Sequence, residues 1–80
     1  MSEEIQYKGF IIIPNPEQLT DSGQWTTYIY IQRHWGSGVS DREFHASTTY
    51  NNREEAIIRC FEFGKRIIDG TFPDLIKNLP

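Results

Sequence analysis

Three side chains in this 80-residue chain carry the usual nucleophile and base chemistry, His34, His45 and Cys60, so a catalytic or zinc-binding role must be built from them. A thiol nucleophile needs an imidazole beside it, and a zinc site needs three or four such ligands at a recognisable spacing. The intervals between these residues match no standard zinc pattern. His45 falls in an alternating stretch on the side opposite Phe44, whereas Cys60 falls on the apolar side of a helix, so the imidazole and the thiol are expected not to meet. His34 flanks the Gly36 turn and reads as exposed. The carboxylates Glu54, Glu55 and Glu62 lie on or near the solvated side of the same helix, where Glu55 to Arg59 and Glu62 to Arg66 have i,i+4 pairing distances. The triplet Gly36-Ser37-Gly38 precedes a strand rather than a helix, so it is a hairpin turn and not a phosphate cradle. No catalytic residue, metal ligand or cofactor is assigned, and the chain reads as non-enzymatic.

The elements that position these residues follow from local patterning. Around Asn52 to Asp69, Ala56, Ile57, Cys60, Gly64, Ile67 and Ile68 fall on one side of an amphipathic helix, with Phe61 and Phe63 at its edges. Asn52 and Glu55 have the spacing of a capping box, and Gly70 with Pro73 marks the stop. Upstream lie three expected strands: Ile5 to Ile13, Gln24 to Trp35, and Asp41 to Thr48. The Pro- and Gly-bearing segment 14–23 reads as a loop, and 71–80 as a short tail with a helical turn from Pro73. The fold class is α+β, a three-stranded antiparallel meander with one C-terminal amphipathic helix packed on one face, forming a single domain over 1–80 with 1–4 frayed. Gly64 sits mid-face, where a missing side chain would let helix and sheet approach closely.

One helix covers one face of a sheet. Trp25, Ile29, Ile31, Phe44, Ala46, Phe10 and Ile12 are assigned to the helix side. The other face then carries Tyr7, Gly9, Ile11 and Ile13 from the first strand, Tyr28 and Tyr30 from the second, and His45 from the third. That face is too apolar for open water, and Tyr7, Ile11, Ile13, Tyr28, Tyr30 and His45 form a candidate interface for a homodimer or an unknown protein partner. Either the loop 14–23 or the tail 71–80 could instead cover it. A second functional reading is a regulatory protein that touches single-stranded nucleic acid or a transcription component through Tyr28, Tyr30 and Arg33. A net charge of −3 and the absence of any Lys/Arg run weigh against it, because nucleic-acid affinity rests on neutralising phosphates. A hydrophobic content of 38% with two Trp, four Tyr and five Phe indicates a packed core rather than disorder. A lone cysteine excludes an internal disulfide and fits a reducing compartment. The start MSEEIQ has no basic region followed by an apolar run, and no stretch approaches the ~20 apolar residues of a membrane span. Cytoplasmic residence without membrane association is the expectation.

Tyr7 to Phe10 (YKGF), Gly23 to Trp25 (GQW), Glu43 to Ala46 (EFHA), Arg53 to Ala56 (REEA) and Gly64 to Asp69 (GKRIID) occur here in an order that resembles a group of short, largely uncharacterised bacterial domains called HlyU-like. The resemblance covers about Tyr7 to Asp69 and implies a β-β-β-α domain. After Asp69 that group tends to continue with Gln-rich and Gly residues, where this chain has Gly70-Thr71-Phe72-Pro73. The group is named for a presumed transcriptional activator, but this chain has no helix-turn-helix pattern to which that role could be transferred.

Overall fold

The computed structural model describes residues 3–80. Four strands, Ile5–Tyr7 (β1), Phe10–Pro14 (β2), Trp25–Trp35 (β3) and Gly38–Tyr50 (β4), form one antiparallel sheet in chain order. The helix Arg53–Ile68 (α1) and the short helix Pro73–Ile76 (α2) follow. The α+β architecture agrees with the sequence, but the sheet has four strands and not three.

The extra strand arises because the stretch from Ile5 to Ile13 is a hairpin. Lys8 and Gly9 both have positive φ, 49° and 85°, the pattern of a two-residue type I′ turn, and Tyr7 pairs with Phe10 across it. Glycine enters this region freely, whereas a lysine there is uncommon. Lys8 is held by an ion pair to Asp69 at the end of α1. The turn changes which side chains share a face. In a continuous strand Tyr7 would alternate with Ile11 and Ile13, but folded back it lies opposite Phe10, on the helix side.

The core lies between the sheet and α1. Ile12 of β2, Ile29 and Ile31 of β3, Phe44 of β4, and Cys60 and Ile67 of α1 form one buried cluster. Trp25, assigned to this core from its alternation, is only half-buried at the sheet's end opposite Tyr50, and Thr27 is the buried residue beside it. A bulge places Ser47 and Thr48 as extra residues on β4 between the pairs Thr26–Thr49 and Thr27–Ala46, and the Thr27 hydroxyl donates to the Thr48 carbonyl at 2.8 Å.

The α1 boundaries follow the sequence signals closely. The Glu55 N–H donates to the Asn52 side chain at 2.8 Å. At the other end Gly70 N–H donates to the Ile67 carbonyl and Thr71 N–H to the Arg66 carbonyl, a Schellman motif. On the solvated side Arg59 pairs with Glu62, in preference to the expected Glu55–Arg59 and Glu62–Arg66 pairs. Gly64 faces Ile12, and a Cβ at that position would stand 2.7 Å from Ile12 Cγ2, so the helix seats closer than any side chain there would allow.

The tail returns to the helix side, where Phe72, Leu75 and Leu79 pack against the core cluster and Phe72 meets Phe63 edge-on. Of the expected frayed N-terminus, Met1 and Ser2 lie outside the described residues, while Glu3 pairs with Arg53.

Candidate interaction surface

Alternation along β3 places Tyr28, Tyr30, Gln32 and His34 on the face away from α1, and the register adds Ile11 and Ile13 from β2. From β4 come Val39, Asp41, Glu43 and His45, opposite His34, Gln32, Tyr30 and Tyr28 in turn. The aromatic centre of this face is ordered. Tyr28 meets Tyr30 edge-on with centroids 5.6 Å apart, and His45 stacks on Tyr28 at 6.4 Å with 13° between the planes. The Tyr28 hydroxyl donates to the Glu43 carboxylate on the neighbouring strand. That hydrogen bond, together with partial burial and the charge of Glu43, pushes the Tyr28 pKa well above the ordinary tyrosine value, so this hydroxyl remains a donor. Tyr28, Tyr30, Ile11 and Ile13 are each only half-buried, whereas His45 and Glu43 are exposed.

Neither segment that could have covered this face does so. The loop between β2 and β3 runs along the edge of β3 in the plane of the sheet. Asn15 N–H donates to the Tyr28 carbonyl at 2.8 Å, Thr26 N–H to Glu17 at 2.9 Å, and Leu19 N–H to Gln24 at 2.7 Å. The tail packs on the helix side. The molecule measures 42 × 30 × 16 Å. Packed layers sit about 10 Å apart, so the short dimension holds one sheet and one helix layer without a third.

Five of the six candidate interface residues, Ile11, Ile13, Tyr28, Tyr30 and His45, are thus brought together. Tyr7 is not among them, because the β1–β2 turn carries it to the helix side, where its hydroxyl donates to Asp69 at 2.7 Å. Asp69 accepts from both Lys8 and Tyr7, and these bonds hold its carboxyl below the usual carboxylate range. Arg33 is also elsewhere. It lies on the helix side with its guanidinium 4.3 Å from the Trp35 ring centroid and 5.6 Å from that of Phe10, so it does not join Tyr28 and Tyr30. Extending the alternation Trp25, Thr27, Ile29, Ile31 by two residues gives this placement directly. Sequence reasoning also missed Val39, 54% exposed on the open face, because it stood outside the expected strand boundary at Asp41.

The potential nucleophile and bases are separated by the sheet. Cys60 is buried beneath it, its thiol donating weakly to the Tyr28 carbonyl at 3.6 Å, and burial pushes its pKa up. His34 and His45 are exposed on the opposite face. A buried protonated thiol with no imidazole beside it is a packing residue. Among the described residues no group of three or more His, Cys, Asp or Glu is placed to hold a metal ion, and no helix is long and apolar enough to cross a membrane.

No family model, curated protein or solved structure matches this chain. The likeness to HlyU-like domains therefore rests on the ordered motifs alone.

Proposed function

We propose that this chain is a small interaction module that pairs with a second copy of itself through the open sheet face, with Ile11, Ile13, Tyr28 and Tyr30 at the centre. The observation that carries this is the one-sided architecture: α1, α2 and the tail all pack on one face, while an aromatic and β-branched surface on the other has no described segment over it. A domain of this size is short of core, and burying a second apolar face against a partner adds the kind of area that stabilises small folds. The surrounding Gln32, Asp41, Glu43 and His45 supply a polar rim to that apolar centre. A two-fold pair would present the same patch from both copies, as isologous interfaces do.

The role is non-enzymatic and cytoplasmic in this proposal, and kinship with bacterial HlyU-like domains belongs to it as well. The nucleic-acid alternative loses its cation, because Arg33 stacks on Trp35 on the far side of the sheet. Solution mass measured across a wide concentration range separates the two. Face-to-face pairing gives a concentration-dependent mass that changes little with added salt, and binding to a single-stranded oligonucleotide gives an affinity that falls steeply with it. A monomer at all concentrations that binds the oligonucleotide would overturn the proposal.

A further inference from the structure

On the helix side of the sheet, the end of β4, α1 and the segment entering α2 border an open groove of about 460 Å3. That volume is within the range of small-molecule sites. Phe63 and Phe72, edge-on at 5.7 Å, supply one apolar surface, and Tyr50 also lines the groove. Arg59 and Arg66, two turns apart on α1, reach the groove together with Glu62. Arg59 donates through Nη1 to both Glu62 oxygens, at 2.9 and 3.2 Å, which leaves its other N–H groups uncommitted. Arg66 makes no ion pair or side-chain hydrogen bond among the described residues, and the Tyr50 hydroxyl has no partner there either. A guanidinium without an ion-pair partner among the described residues, lining the same groove as Phe63 and Phe72 in a chain of net charge −3, is a local reversal of sign.

We infer that this groove binds a small aromatic carboxylate, with the acid group between Arg59 and Arg66 and the ring against Phe63 and Phe72. Two observations select a monoanionic carboxylate. Glu62 already shows a carboxylate seated on Arg59, and among the side chains that line the groove two arginines with one glutamate leave a single positive charge to be matched. Guanidinium N–H donors match the planar carboxylate, and the flat ring packs against the exposed side of the Phe63–Phe72 pair. The groove is on the opposite side of the sheet from the proposed pairing face, so the two inferences stand independently.

The test is an amide NMR titration with 2-naphthoate and, in parallel, with the neutral 2-naphthylmethanol. Naphthoate is expected to shift resonances around Tyr50, Phe63 and Arg66, with the alcohol binding about tenfold or more weakly. Arg66→Gln weakens naphthoate about tenfold. Glu62→Gln tightens it several-fold, because it frees Arg59 and removes a competing carboxylate. Equal binding of acid and alcohol, shifts confined to the open sheet face, or weaker binding by Glu62→Gln would each overturn the inference. If Arg66→Gln loses the dispersed spectrum of a folded chain, the acid–alcohol pair and Glu62→Gln still decide the matter.

Discussion

Replacing Gly64 by alanine measures how tightly α1 is seated on the sheet. On an exposed helix surface the change stabilises by about 1 kcal/mol, because alanine loses less backbone freedom on folding. Here the new Cβ would lie 2.7, 2.9 and 3.0 Å from Cγ2, Cδ1 and Cγ1 of Ile12, well inside the 3.5–4.0 Å optimum for carbon pairs. Ile12 is fully buried on a strand flanked by β1 and β3, so its side chain has little room to give way. Overpacking of this kind costs about 1–3 kcal/mol, which leaves Gly64→Ala neutral to about 2 kcal/mol destabilising. A double-mutant cycle removes the propensity term. Ile12→Ala alone costs about 2–5 kcal/mol, but it deletes all three opposing carbons. In that background Gly64→Ala should stabilise by about 1 kcal/mol, giving a coupling of about 1–3 kcal/mol. Urea unfolding of the four proteins, with an osmolyte present to keep Ile12→Ala folded, reads these differences. A gain of about 1 kcal/mol from Gly64→Ala in the wild-type background, with no coupling to Ile12, would refute the close seating.

Two further perturbations address the β1–β2 turn and its tie to α1. Gly9→Ala forces a φ of 85° on an L-residue although its Cβ would meet nothing within 4 Å, so the cost of about 1–2 kcal/mol is purely conformational, and a synthetic chain with D-alanine at this position should recover it. Equal melting temperatures for the L- and D-alanine chains would contradict the turn assignment. Asp69 has its folded-state pKa lowered by Lys8 and Tyr7, so its contribution is present above the unfolded carboxylate value near 3.9 and is lost as pH falls through the folded one. Thermal melts of Asp69→Asn should therefore lie below wild type at pH 6 and converge with it as the pH drops below about 4; a constant offset across that range would show that the carboxylate is not the group responsible.

The helix was legible because every signal that defines it is local: Asn52 three residues before Glu55, the apolar spacing from Ala56 to Ile67, and the stop at Gly70. The face assignment of β3 and β4 was legible for the same reason, since period-two alternation survives wherever no turn or bulge intervenes. Tyr7 failed because Lys-Gly is a weaker hairpin signal than Asn-Gly or Asp-Gly, and the group that secures Lys8 is Asp69, 61 residues away in sequence. A contact across that distance leaves no trace in a window-based pattern. The bulge at Ser47 and Thr48 is equally silent in sequence, yet the groove beside it and the burial of Thr27 both lie there. The open face is therefore smaller by one tyrosine than the sequence suggested, and it extends further along β4 through Val39.

The most direct measurement is light scattering on the wild type beside an Ile11→Lys, Tyr28→Lys double variant, both checked for the dispersed spectrum of a folded chain. Pairing through the open face predicts a wild-type dimer and a folded monomeric variant, since two lysines would bring like charges together across the two-fold axis. A folded variant that dimerises as the wild type does, or a wild type that remains monomeric at high concentration, would contradict it.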